Sequence, residues 1–267
     1  MTELEHHIGP KRRSHIGRTG RHIAIDEAAA RATLFRVLAR AYSYPDVELI
    51  QAVRTGFGQL LAADAETFSA QVNAALKRAA SAWRATSGDV LREEFSRLFI
   101  GSGPVRLREG CYGDGLRFAG QPTDLADLSG FYIAFGFGPP PGAASPPDHL
   151  GTELEFVSLM YLKLASALER RNAEQVEVTQ RALAAFLRDH LGRWSDALCS
   201  SLRDSGADAA YRALGELTRI AVAQACFTFG VKPESANSGA ALDPVQEDAL
   251  VCPLAEPAPT SAAERLS

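Results

Sequence analysis

The densest gathering of groups able to do chemistry is Pro146-Pro147-Asp148-His149-Leu150-Gly151-Thr152-Glu153-Leu154-Glu155-Phe156. On a helix, residues four apart are neighbours. Asp148, Thr152 and Glu155 then share one flank, and His149, Glu153 and Phe156 the adjacent one. Carboxylates take a guanidinium in a two-pronged pair, and the phenyl ring with nearby leucines takes an apolar segment. The stretch therefore suits a ligand with cationic and apolar parts. The same residues also read more plainly, Asp148 as a helix cap and Glu153 and Glu155 as a solvated face opposing the macrodipole. The residue types alone leave both readings open.

Other chemistries find less support. His149 and Glu153, four apart, can ligate a divalent ion with Asp148. HExxH is absent, however, and so is a second His-carboxylate pair for a di-iron bundle, so no metal or other cofactor is expected. There is no GxSxG elbow. Gly101-Ser102-Gly103 and Gly113-Asp114-Gly115 are glycine-rich but match no P-loop; a nucleotide-binding or hydrolysing protein using the 101–115 loop and Asp114 is the alternative they leave. Of the four cysteines, Cys199 and Cys226 lie in apolar helical stretches and read as core. Cys111 and Cys252 lie in loop-like segments. None forms a CxxC pair, and reduced thiols are expected.

The elements that position these residues are helical. Leu34, Leu38 and Tyr42 share a face after Asp26, a candidate cap, and Tyr44-Pro45-Asp46 breaks the pattern. Further stripes are Ile50, Val53, Phe57 and Leu60; Phe68, Val72, Leu76 and Trp83, from about Glu66; and Leu91, Phe95, Leu98 and Phe99. The segment 101–121 holds six glycines and no period, so it reads as loop. A fifth helix over 123–136 carries Leu125, Leu128, Tyr132 and Phe135. A proline-rich linker follows. Ser145 as N-cap and Pro146 at N1 then open the sixth helix, with Leu150, Leu154, Val157, Tyr161, Leu164 and Leu168. Patterns over 173–190, around Trp194, Leu198 and Leu202, and over 207–229 complete about nine helices. No strand pattern or repeat occurs. The expected fold is all-α, a single irregular bundle over 26–230, between a flexible basic tail at 1–25 and a weakly ordered tail at 231–267.

Composition mainly removes rivals. The chain has 267 residues, 46% apolar and 22% charged, with net charge -4. No basic field exists to hold nucleic acid. No apolar run reaches the length of a membrane helix, so stable membrane association is not expected. Arg12-Arg13 is a twin arginine without the apolar stretch of an export signal, and four of the six histidines (His6, His7, His15, His22) lie in that tail. A metal-binding or sensory role for them with His149 and Glu153 is a further rival.

Four segments together resemble the TorD/DmsD family of molybdoenzyme chaperones. They are Tyr42-Ser43-Tyr44-Pro45, then Glu94-Phe95-Ser96-Arg97-Leu98-Phe99-Ile100-Gly101 with Gly103-Pro104, then Pro147-Asp148-His149-Leu150 with Glu153-Leu154-Glu155-Phe156, and Phe186-Leu187-Arg188-Asp189-His190-Leu191 with Trp194. They occur in the family's order and span about residues 30–230. The resemblance implies an all-helical cytoplasmic chaperone with no catalysis of its own. Such a protein binds the twin-arginine signal peptide and the body of a molybdenum-containing catalytic subunit until its cofactor is inserted. It implies peptide binding by Asp148, His149, Glu153 and Glu155, with Phe156 beside them. Leu98, Phe99, Tyr112 and Tyr132 are further candidates for lining a groove. The Cys252-Pro253-Leu254 ending resembles chaperones serving dimethyl sulfide, ethylbenzene, chlorate or selenate enzymes. The resemblance leaves monomer and domain-swapped dimer both open, since the 101–121 and 136–146 connections are long enough to exchange.

Overall fold

The computed structural model describes residues 23–63, 67–112, 121–138 and 146–236, with only the backbone of 121–123. Among these residues are nine α-helices and no strand: α1 (Ile25–Ala41), α2 (Val47–Ala62), α3 (Ala70–Ala85), α4 (Gly88–Phe99), α5 (Gln121–Ala134), α6 (Leu150–Glu169), α7 (Ala173–Asp189), α8 (Leu191–Asp204) and α9 (Ala209–Phe229). A single 3-10 turn, Glu109–Cys111, lies in the connection after α4. The all-α bundle read from the sequence is the observed fold.

Local chemistry explains most boundaries. Asp46, Ser69, Ser87, Asn172 and Asp208 each accept a hydrogen bond from a first-turn amide of the helix that follows, satisfying donors that have no partner within the helix. Gly230 closes α9 in the left-handed conformation, at φ 66°. Three expected starts differ. Asp26 lies inside the first turn of α1 and Ala24 is the cap. Phe68 is buried ahead of α3, which begins after Ser69. The sixth helix starts at Leu150 rather than Pro146, with His149 as its cap.

The bundle is built around α1, which packs most extensively on α6 and also meets α2 and α9. Phe35 stacks on Tyr161 at 5.7 Å, and the buried Ser158 hydroxyl donates to the Ala32 carbonyl at 2.7 Å. The Tyr42 hydroxyl meets that of Thr218 in α9 at 3.0 Å. Trp83 joins α2, α3 and α9 through edge contacts with Phe57 and Tyr211. Cys199 and Cys226 are buried among these helices as expected of core residues. Beyond α9, the amide of Ala236 donates to the Arg193 carbonyl at 2.8 Å. The rest of the two expected tails, with Cys252, Asp114 and Ser145, lies outside the described residues.

The α7–α8 junction is unusually close, because His190 both ends α7 and begins α8. A Cβ on Gly192 would strike the Leu187 carbonyl oxygen and approach Pro233 Cγ to 2.5 Å. Gly192→Ala is therefore expected to cost about 1–3 kcal/mol through forced repacking. Gly58→Ala, on an open face of α2 with nothing within 4 Å, should stabilise by about 0.5–1 kcal/mol. Urea denaturation of both variants checks the pair.

Candidate functional site

The start of α6 is fixed from outside the helix. Residues before it run antiparallel to the connection that follows α4: the Glu109 amide donates to the Asp148 carbonyl at 2.9 Å, and the Leu150 amide to the Leu107 carbonyl at 2.8 Å. The bridge pairs Arg108 with His149. His149 Nδ1 accepts from the Gly151 amide at 3.1 Å, so Nδ1 carries no proton and the imidazole is neutral. Burial pushes the His149 pKa down and Arg108 adds to this, against the charge of Asp148. Asp148 is therefore not the cap. Its carboxylate is buried and receives the Arg108 guanidinium instead, Nε lying 3.1 and 3.2 Å from its two oxygens.

Beneath this turn lies a buried polar cluster. Glu153, fully enclosed, accepts from Trp194 Nε1 at 3.3 Å through one oxygen; the other has no hydrogen-bond partner. Burial first, then the neighbouring Glu109, raise its pKa well above the usual carboxylate range, which favours the neutral form. Glu109 is engaged by His190, whose Nδ1 lies 3.1 Å from it. The other ring nitrogen of His190 lies 3.2 Å from Asp127 of α5. Burial lowers the His190 pKa, but bonds and charges from Glu109 and Asp127 outweigh this and leave it raised. Tyr112 stacks on Trp194 at 5.2 Å and donates to the Arg106 carbonyl at 2.8 Å.

The third part is aromatic. Phe156 is packed by Phe186 at 4.7 Å, Tyr132 at 5.0 Å and Phe137 at 5.6 Å, with Phe131 and Phe135 just beyond. The Tyr132 hydroxyl donates to the Pro147 carbonyl at 2.7 Å, which sets this cluster directly beside the Asp148–His149 turn. Phe131 near the end of α5, and Phe135 and Phe137 just past it, are half-buried, and Ile133 of α5 is 79% exposed. One end of α5 thus lays an apolar surface next to a carboxylate holding a guanidinium.

The structure brings Asp148, His149, Glu153, Phe156, Tyr112 and Tyr132 together. Glu155 faces solvent on α6. Leu98 and Phe99 belong to another neighbourhood: Leu98 is buried, and Phe99 packs with Phe95, Tyr211 and Tyr42 at 5.0, 5.5 and 6.2 Å. The expected helical flanks do not form as drawn, since Asp148 precedes the helix and Glu153 and Phe156 point inward. Sequence reasoning passed over Arg108, Glu109, Asp127, His190 and Trp194. The last two lay in a segment already singled out, whereas Arg108 and Glu109 sit in an aperiodic loop that gave no signal. The Cys111 thiol is pushed up in pKa by burial and is no ready nucleophile. Among the described residues no group of three or more His, Cys, Asp or Glu side chains is placed to hold a metal. Nor is any of their helices long and apolar enough to cross a membrane.

The family described as nitrate reductase delta subunit matches residues 62–200, which run from the end of α2 into α8 and contain the whole site. The chain belongs to this family. It is also similar to the chlorate reductase assembly chaperone protein of Ideonella dechloratans, with 28% identity over 170 residues, 64% of this chain and 75% of that protein. Both findings agree with the resemblance carried by the four sequence segments: this is a molybdoenzyme-specific chaperone family. In this family member, every residue of the buried polar cluster falls inside the matched region.

The shifts of Glu153 and His190 carry the same sign. A group whose folded pKa is raised contributes stability that is complete below its unfolded pKa and fades as pH rises. The decline begins near 4.5 for Glu153 and near 6.5 for His190. His149, shifted down, loses its contribution only as pH falls below 6.5, so measurements above that value isolate the other two. Thermal midpoints of the wild type should fall from pH 6.5 to 8.5. Glu153→Gln, which keeps a neutral group of the same shape, should fall less and match or exceed the wild type at pH 8. Glu153→Ala, which orphans the Trp194 N–H, should cost about 1–3 kcal/mol.

Proposed function

We propose that this protein is a cytoplasmic assembly chaperone for the catalytic subunit of a molybdenum oxidoreductase. It binds the subunit's twin-arginine signal peptide at the Asp148–His149 turn and holds the subunit until its cofactor is inserted before export. It acts by binding rather than by turnover. One observation carries this reading: Asp148, buried and already seating a guanidinium at 3.1 Å, borders the aromatic end of α5. A twin-arginine peptide has the matching order, a cationic pair followed by an apolar stretch, and docks by the groove mode with separate charged and apolar anchors. Family membership and the chlorate reductase chaperone relative support the same client class.

The site residues then divide. Asp148, His149 and Glu155 form the polar side facing the peptide; Phe131, Phe135, Phe137 and Ile133 form the apolar side. Tyr112 lies at the edge. Glu153, Phe156 and Tyr132 act from beneath, holding the contact groups in place, and Leu98 and Phe99 brace the start of the 100–112 connection.

Calorimetric titration of the client's signal peptide tests this. Asp148→Asn with His149→Ala is expected to weaken binding at least about tenfold, since a charge-assisted pair contributes on the order of 1.5–3 kcal/mol, while far-ultraviolet circular dichroism stays unchanged. Replacing the peptide's two arginines by lysines should weaken it in the wild type, because lysine lacks the planar fork. Equal affinity of the double variant and the wild type would exclude this turn as the site.

A further inference from the structure

The Arg108–Asp148 pair is lopsided. The Asp148 side chain is 5% exposed, the Arg108 side chain 48%. All of the pair's hydrogen bonds come from Nε, divided between Oδ1 at 3.1 Å and Oδ2 at 3.2 Å. The two-pronged arrangement that makes arginine-carboxylate pairs strong is not used here. Asp148 cannot readily lose a cation, because an uncompensated buried carboxylate is costly. Arg108 can readily leave, because its side chain is already half exposed to water.

The backbone of Arg108 is held independently of that ion pair. Its neighbours are bonded through Leu107 and Glu109 to residues 148–150, Glu109 is clamped by His190, and the Arg106 carbonyl receives the Tyr112 hydroxyl. A swing of the Arg108 side chain therefore leaves the turn and the bridge intact. What it vacates is a carboxylate with both oxygens open to a better-seated guanidinium.

We propose that Arg108 is a resident occupant of a guanidinium subsite at Asp148, and that an arginine-bearing partner binds by displacing it. This rests on the proposed peptide-binding role of the same turn and adds to it the chemical class of the anchoring group and the competitor that sets its affinity. Each exchange replaces one guanidinium by another, so Asp148 is never left bare. Affinity is lowered by the fraction of time that Arg108 is seated, as for any site whose competent state is only partly populated.

The test uses two probes on the full chain: the twin-arginine peptide, and guanidinium ion at low millimolar concentration with tetramethylammonium as the ionic-strength control. Arg108→Gln is expected to bind the peptide about tenfold tighter, the gain when the competent fraction rises from about a tenth to unity. It should also melt lower than the wild type and be restored by guanidinium but not by tetramethylammonium. Arg108→Lys should fall between the two, and Asp148→Asn should abolish both effects. Peptide affinity in Arg108→Gln equal to or below that of the wild type, with binding still dependent on Asp148, overturns the displacement while leaving the peptide site standing. No peptide binding by either protein, with guanidinium still restoring Arg108→Gln, overturns the peptide reading and upholds the subsite. Absence of restoration as well as of tighter binding overturns the subsite itself.

Discussion

A single imidazole, His190, closes the circuit on which the candidate site depends. One ring nitrogen engages Glu109 in the loop after α4, the other Asp127 in α5, and the residue itself is the joint between α7 and α8. Burying a charge costs several kcal/mol unless a partner and further hydrogen bonds compensate it, so the cluster cannot carry charges at will. Glu109 lies against His190 at 3.1 Å, and burial disfavours the charged form of a second carboxylate nearby. This accounts for Glu153, whose pKa is raised by burial and which is bonded to Trp194 and fully enclosed. Loop, helices and junction are locked together by Glu109 and Asp127 on His190 and by Glu153 on Trp194.

That lock decides where the surface groups point. The connection from Gly101 to Tyr112 has no apolar stripe of its own. It is held by the Leu98 carbonyl through Val105, by the bridge to residues 148–150, and by Glu109 under His190. With Glu109 drawn inward, the next side chain along, Arg108, is turned toward Asp148. Tyr132 ties the proline turn to the aromatic layer over Phe156. The site therefore has two tiers, an upper one of Asp148, His149 and half-buried phenylalanines, and a lower one centred on the enclosed Glu153, Phe156 and Trp194.

The helices were legible because their cause is local. The stripes of Leu34, Leu38 and Tyr42 or of Leu150, Leu154 and Val157 are carried by neighbours in sequence, and all six of these side chains are buried. The start of α6 was misread for the opposite reason. Ser145, Pro146 and Asp148 satisfy a local capping pattern, but the turn is held out of the helix by hydrogen bonds to Leu107 and Glu109, some forty residues earlier. His190 lay in a recognised segment, yet its partners stand 81 and 63 positions away. Arg108, in a loop without period, had no local mark at all. Long-range polar pairing is the information a single sequence hides, and in this protein it builds the site.

The two tiers also bear on reversibility. A chaperone must hold its client firmly and then release it, and a site that desolvated a bare carboxylate on every release would be poorly suited to that cycle. Here the carboxylate is compensated in the free protein, by Arg108 at 3.1 Å. In the proposed binding mode the partner of Asp148 changes, and affinity comes from the apolar contacts at the end of α5 and from the better geometry of the incoming guanidinium. The free-energy difference between bound and free states is correspondingly small at the charged end and larger at the apolar end. Salt should therefore affect equilibrium affinity less than loss of an α5 aromatic does, even though charge selects which peptide enters.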